Sequence, residues 1–227
     1  MRFVPVLVLL CGAAGLLRAQ SSGAWKMGGP DDRWEVSGIA GGSLYHDVSA
    51  SATNPLRKAS VGFFNGVAVG AVLGQLGGQH WGGEFHYLFQ TNNMRLRAGA
   101  GETGSASFSA KSHAFHYDAL FYFTRRDARI RPFIAGGPGL KVYQATGQEQ
   151  AFRPLSDLVV FSHENDTKFM VSAGGGVKVK VYRGALVRFD FRDYATGIPK
   201  SFTAVPGVKL SGQFHNFVAT GGIGVTF

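Results

Sequence analysis

Cysteine is almost absent from this chain: Cys11 is the only one in 227 residues. A lone thiol forms no intrachain disulfide, and metal sites built on several thiolates are excluded with it. Charge is sparse at 16% of residues and lopsided, with 14 acidic side chains against 23 basic ones. Past the N-terminal segment there is no apolar run approaching the ~20 residues that a transmembrane helix needs. What is plentiful is glycine, at 33 residues, and aromatic side chains, at 13%. Disordered chains are poor in aromatics, so this composition points to a folded, β-rich chain of one domain's length. The basic balance suits a polyanionic surface, but no nucleic-acid-binding motif accompanies it, and nucleic acid is not an expected partner.

The first residues have the organisation of an export signal. Arg2 supplies the positive start, Val4 to Leu17 is mostly apolar, and Leu17-Arg18-Ala19 before Gln20 places a small residue at a cleavage point. The stretch is short for a membrane anchor of ~20 residues. Cys11 follows Leu10, where a lipid-anchoring signal wants a small residue. Residues 1–19 are therefore expected to be a signal peptide, 20–33 a periplasmic segment, and 34–227 the folded domain.

From Trp34 onward the apolar residues recur with period two. Phe169, Val171, Ala173, Gly175, Val177, Val179 and Val181 share one face of a strand, opposite Lys168, Ser172, Lys178 and Lys180. A strand from Lys168 to Tyr182 is far longer than the ~5–6 residues usual in globular sheets. About 10 tilted residues already cross an outer membrane. The alternation predicts eight strands, at Trp34–Tyr45, Val61–Gly74, His80–Thr91, Ser107–Phe123, Arg131–Gln144, Lys168–Tyr182, Ala185–Thr196 and Gln213–Phe227. Their connections alternate long and short, with long loops at 46–60, 92–106, 145–167 and 197–212. In an up-and-down meander all the long loops then leave one rim and all the short turns the other. That is the asymmetry of bacterial outer-membrane barrels. The expected fold is all-β, an eight-stranded antiparallel up-and-down transmembrane β-barrel. Phe85, Tyr87 and Phe89 share a face, as do Phe115, Tyr117, Phe121 and Phe123, which suits aromatic girdles at the membrane edges.

The last strand, Thr220-Gly-Gly-Ile-Gly-Val-Thr-Phe227, resembles the C-terminal sorting signal of outer-membrane barrels, with Thr220, Gly222, Val225 and Phe227 at the matching offsets. That resemblance implies recognition by the barrel-assembly machinery. The segments Arg131-Pro-Phe-Ile-Ala-Gly-Gly-Pro-Gly139, Gly174-Gly-Gly-Val177 and Arg188-Phe-Asp-Phe-Arg-Asp-Tyr194 look like strand signatures of the eight-stranded OmpA-like barrel family. With no peptidoglycan-binding segment after Phe227, the resemblance is to the stand-alone, OmpX-type members. It implies an integral outer-membrane protein with a structural or surface-interaction role.

The faces opposite the apolar ones gather Glu35, Glu84, His86, His116, Asp118, Lys141, Lys178, Lys180, Arg188, Asp190 and Arg192. Eight strands enclose room only for side chains, and a charge confined there costs several kcal/mol unless it is paired. A lumen ion-pair network that plugs the barrel is expected, with lysine or arginine facing Glu84, Asp118 and Asp190. The alternative is a narrow ion-conducting path. A lipid A-modifying enzyme is a further alternative, because Ser112-His113 and Ser162-His163-Glu164 fall near the outer rim. Adjacent strand residues point to opposite faces, however, which is poor geometry for a serine–histidine pair. His80, His86, His116 and His215 lack the spacing of a metal site, although His86 and His116 lie on neighbouring strands. Gly174–Gly176 lies within a strand and is no phosphate loop; it makes room for bulky neighbours. No cofactor motif is present. Arg57, Lys58, Arg95, Arg97, Lys111, Arg153, Lys168, Lys200 and Lys209 lie at or near the long-loop rim, where lipopolysaccharide phosphates would be met. Arg125, Arg126, Arg129 and Arg131 cluster at one short turn, near phospholipid headgroups.

Overall fold

Strand after strand buries every second side chain: on β1 (Trp34–His46), Glu35, Ser37, Ile39, Ser43 and Tyr45 are buried while Val36 and Leu44 are exposed. The computed structural model describes residues 33–53, 56–99, 104–147, 155, 158–162, 164–182 and 184–227. The expected signal peptide and all of the following segment except Arg33 fall outside these.

After β1 come β2 (Val48–Thr53), β3 (Leu56–Phe63), β4 (Gly66–Leu76), β5 (Trp81–Thr91), β6 (Met94–Ala98), β7 (Ser105–Phe108) and β8 (Ala110–Tyr122). They are followed by β9 (Ile130–Ala145), β10 (Val159–Phe161), β11 (Asp166–Tyr182), β12 (Ala185–Thr196), β13 (Phe202–Ala204), β14 (Val208–Ser211) and β15 (Phe214–Thr226). Eight of them close a barrel in the order β1-β15-β12-β11-β9-β8-β5-β4. The first and last strands seal it antiparallel, in a register running from Glu35 opposite Thr226 to His46 opposite His215. No helix among the described residues is long and apolar enough to cross a membrane.

The outer wall is apolar. Val36, Val69, Leu73, Phe85, Phe115, Tyr117, Ile134, Leu140, Phe189, Phe191 and Ile223 all face outward and exposed. At the short-turn end Trp34, Trp81, Phe123 and Tyr182 form an exposed aromatic edge. At the other end polar pairs appear on the same wall: the Tyr87 hydroxyl bonds His113 Nδ1 at 2.9 Å, and His215 Nδ1 bonds Asp193 at 2.7 Å. An apolar wall bounded by aromatic and polar rims is stable only in a bilayer, where closure leaves no strand edge unpaired.

The segments expected as irregular long loops instead carry the seven remaining strands. Five form a sheet ordered β14-β2-β3-β6-β7, and β10 pairs with β13. Val61 and Ser107, expected to open barrel strands, belong to this second layer, and the barrel strands themselves begin at Gly66 and Ala110. The order of the five repeats that of β15, β1, β4, β5 and β8, each the chain neighbour of one extension strand. The barrel wall thus continues outward past a line of breaks at Asp47, Phe64–Asn65, Asn92–Asn93, Ser109 and Gly212–Gln213. Its interior there is a hydrophobic core of Tyr45, Val61, Phe63, Met94, Leu96, Phe108, Tyr143, Phe161, Phe202 and Phe214. Phe63 sits at its centre, with ring centroids of Tyr45, Tyr143, Phe202 and Phe214 at 4.7, 5.5, 5.3 and 5.3 Å.

Candidate functional site: a charged core inside the barrel

The lumen is filled in layers. Nearest the short turns, Leu76, Leu120, Tyr122 and Phe133 pack together. Above them lies an ionic layer, then an apolar layer containing Ile39, Val72, Leu88, Met170, Tyr194 and Val218. A polar layer around Lys141 follows, capped by the extension's hydrophobic core.

Arg188 organises the ionic layer. Its Nε donates to Asp190 Oδ2 at 2.8 Å; its Nη1 donates to Glu35 Oε1 at 2.9 Å and Glu84 Oε1 at 3.3 Å. Its Nη2 donates to Glu84 Oε2 at 2.8 Å and Asp190 Oδ1 at 2.9 Å. All five N–H donors of the guanidinium fork are thereby used on three carboxylates, a geometry that lysine's ammonium does not supply. The Lys178 ammonium bridges Glu35 and Glu84, and Ser37 donates to Glu35 at 2.8 Å. Arg192 pairs with Asp118 through Nη1 and reaches Asp190 at 3.4 Å through Nη2. Ser172 completes the shell of Asp118 at 3.2 Å.

The two central histidines stack with ring centroids 4.6 Å apart and an interplanar angle of 18°. His86 Nε2 donates to Glu84 at 2.8 Å. His116 Nδ1 lies 3.1 Å from Asp118, and its Nε2 lies 3.1 Å from the Tyr194 hydroxyl. The tautomer consistent with these neighbours has Nδ1–H toward the carboxylate and Nε2 accepting from Tyr194. No group of three metal-ligating side chains occurs among the described residues.

Glycines on two strands make this layer possible. A Cβ on Gly174 would come within 2.8 Å of Arg192 Cα, and one on Gly139 within 2.5 Å of His116 Cβ and 2.9 Å of Met170 Cε. Gly139 thus leaves room for the His116 and Met170 side chains, and Gly174 lets the β12 backbone approach closely.

Of the side chains expected in the lumen, Glu84, His86, His116, Asp118, Lys178, Arg188, Asp190 and Arg192 meet in this layer with Glu35. Two do not. Lys180 lies on the lumen side of the alternation but past the last layer, exposed at the short-turn rim, where its ammonium donates to the Arg126 carbonyl at 2.7 Å. Lys141 is fully buried yet meets no carboxylate, contrary to the expectation that every enclosed charge is ion-paired. It donates to Tyr45 Oη at 2.7 Å and Gln90 Oε1 at 2.6 Å, within 4.9, 5.5 and 5.9 Å of the Tyr45, Tyr143 and Tyr194 ring centroids. Tyrosine rings, a phenol and an amide oxygen surround it in place of the expected carboxylate. The supporting groups Gln90, Asn216, Tyr45 and Ser37 were not singled out from sequence; they sit at inward positions of the same alternation, where an uncharged polar residue carries little signal.

On the closing strand, Thr220 and Gly222 face inward and Val225 faces outward. A Gly222 Cβ would come within 3.3 Å of Arg188 Cγ. Phe227 accepts from Arg33 and Trp34 amides at 3.1 and 3.0 Å and donates to Trp34 at 3.0 Å, continuing the seam. Ser112 and His113 point to opposite sides of the wall: the serine hydroxyl donates to Gln90 inside, at 3.2 Å, and the histidine bonds Tyr87 outside. His163 lies outside the described residues, and Glu164 lies 3.7 Å from Lys200.

No protein-family profile and no curated protein sequence matches the chain. Solved structures do. The outer membrane protein OprG of Pseudomonas aeruginosa matches with a TM-score of 0.53 at 10% identity, covering 86% of this chain and 97% of that one. The N-terminal β-barrel domain of OprF from the same organism matches at 0.41 and 12% identity, covering 85% and 97%. The outer membrane protease OmpT from Escherichia coli matches at 0.47 and 11%, covering 87% and 98%. The likeness to OprG is one of fold. Together with the apolar, aromatic-edged wall and the sealed eight-strand ring, it makes this chain an integral β-barrel of the bacterial outer membrane.

Proposed function

We propose that the barrel is a closed, non-enzymatic membrane anchor whose lumen is a structural core and whose outward extension serves a surface-interaction role. The observation that carries this reading is the Arg188 hub: five donors on three carboxylates, buried between two apolar layers. An ion entering from the long-loop end meets the extension's packed core, and one entering from the short-turn end passes Lys180 and Arg131 and then meets Leu76, Leu120, Tyr122 and Phe133. Moving the charged side chains of the ionic layer aside leaves carboxylates unpaired. The alternative of a narrow pore requires a continuous polar path, whereas here polar and apolar layers alternate. Of the two candidate pairs for lipid A chemistry, Ser112 and His113 lie on opposite sides of the wall, and His163 of the Ser162–His163 pair lies outside the described residues.

The test is conductance. Purified barrel inserted in planar bilayers is expected to give no steady unit steps at moderate voltage, with insertion verified by heat-modifiable gel mobility. Reproducible unit conductance from the folded species would overturn the proposal.

A further inference from the structure

The outward face of the extension differs abruptly from the wall beneath it. Below the line of breaks the outer side chains include Leu44, Val67, Phe85 and Phe115, all exposed and apolar. Above it, on the same side of the wall, the sheet shows serine, lysine and arginine. In register across the strands, Lys209 stands opposite Ser51 and Ser51 opposite Lys58. The next row runs Ser49, Ser60, Arg97 and Ser105, and the row nearest the barrel has Arg95 opposite Ser107. The inward residues between them, among them Ala50, Val61 and Leu96, are buried in the extension's core, so these polar side chains have only the outward direction.

Charge on this face is unbalanced. Asp47 is taken by Arg95 in a two-pronged contact at 3.1 and 2.8 Å. Lys58, Arg97 and Lys209 are exposed and make no ion pair among the described residues. Lys58 and Lys209 flank Ser51 two strand spacings apart, about 10 Å, and Arg97 lies on the strand beyond Lys58. Like charges gathered on one sheet face with no free acid among the described residues repel one another, and an anion bridging them relieves that repulsion.

The position of the face selects the anion's source. It is a side wall continuous with the lipid-facing surface, beginning where the apolar belt and its Tyr87–His113 and Asp193–His215 rim end. At that height the neighbours of an outer-membrane barrel are the phosphorylated sugars of the outer leaflet, not soluble molecules arriving from above. Building on the surface role proposed for the extension, we propose that Lys58, Arg97 and Lys209 bind the phosphate groups of surrounding lipopolysaccharide, with the Ser49 and Ser51 hydroxyls bonding the sugars between them.

The test compares wild type with the triple variant Lys58→Gln/Arg97→Gln/Lys209→Gln, both folded in neutral detergent micelles and titrated with purified lipopolysaccharide, with bound glycolipid counted by native mass spectrometry. A second variant, Arg125→Gln/Arg129→Gln, removes cations from the opposite rim as a control. The triple variant is expected to bind roughly 100-fold more weakly, a loss of about fivefold per cation, while the control keeps wild-type affinity. Dephosphorylated lipopolysaccharide is expected to bind wild type as poorly as the intact glycolipid binds the triple variant. Equal binding by wild type and triple variant, an equal loss in the control, or undiminished binding of the dephosphorylated form would each overturn the assignment. Tighter binding of heparin than of lipopolysaccharide would move the partner from the membrane to a soluble polyanion and overturn it as well. If the triple variant fails to show folded gel mobility, the Lys58→Gln/Lys209→Gln pair replaces it, with an expected loss of about 30-fold. A conducting barrel that still binds lipopolysaccharide would sink the closed-lumen reading alone.

Discussion

Replacing Arg188 by methionine removes the cation on which the ionic layer converges. In wild type Lys178, Arg188 and Arg192 face Glu35, Glu84, Asp118 and Asp190. Without Arg188, Asp190 keeps only Arg192, at 3.4 Å, while Glu35 and Glu84 share Lys178 alone among the cations within 3 Å of them. Breaking a buried pair by deleting one partner costs about 3–5 kcal/mol, because the remaining charge is stranded without water. Arg188 serves three carboxylates, so the expected loss is at the upper end of that range. Arg188→Lys retains charge but not the five-donor fork, and is expected to lose about half as much. Adding Glu84→Gln to Arg188→Met removes one stranded carboxylate and should restore at least about 1 kcal/mol, a coupling measurable in a double-mutant cycle. The assay is urea unfolding of barrels in phospholipid vesicles, followed by tryptophan fluorescence with band-shift gels in parallel. An Arg188→Met barrel within about 1 kcal/mol of wild type would refute the reasoning, since the layer would then contribute no more than a surface ion pair does.

Phe63→Ala empties the centre of the extension's core and should cost about 3–5 kcal/mol there. Protease added to intact cells is expected to cut the variant's extension while the barrel strands stay protected; an extension as resistant as wild type would refute it. Phe227→Ala tests the assembly signal: folded protein in the outer membrane should fall several-fold in cells, while the purified, refolded barrel changes by less than about 2 kcal/mol. Equal cellular levels would count against a sorting role for that residue.

Much of the barrel is legible in the sequence because period two survives unbroken along each membrane crossing. Ala185–Thr196 has the same bounds in expectation and structure. The extension was illegible for a local reason. At Asp47 and at Phe64–Asn65 the alternation slips, so the inward set passes from odd to even numbers, as in Tyr45 followed by Val48 and Phe63 followed by Ala68. Runs such as Val48-Ser-Ala-Ser-Ala-Thr53 are also short and built of small residues, giving little contrast between faces. Lys180 illustrates a second limit. Alternation gives the side of the wall on which a residue lies but not its height along the barrel axis, and Lys180 is on the lumen side beyond the last packed layer. The pairing of particular charges is likewise a matter of height and strand tilt: Glu35 and Arg188 meet at 2.9 Å although they lie 153 residues apart.

Lys141 shows why pairwise accounting is too narrow for such an interior. The ionic layer places four carboxylates against three cations, with two stacked histidines between them. Lys141, ringed by Tyr45, Tyr143 and Tyr194, has no carboxylate partner among the described residues. Between them Tyr194 links the two, its hydroxyl 3.1 Å from His116 and its ring centroid 5.9 Å from the lysine ammonium. Arg131, buried on the lumen side with its guanidinium 3.8 Å from the Tyr122 ring centroid, is a second cation held against an aromatic ring. The polar layers thus fix the register of the wall through contacts between distant strands, while the apolar layers between them exclude water.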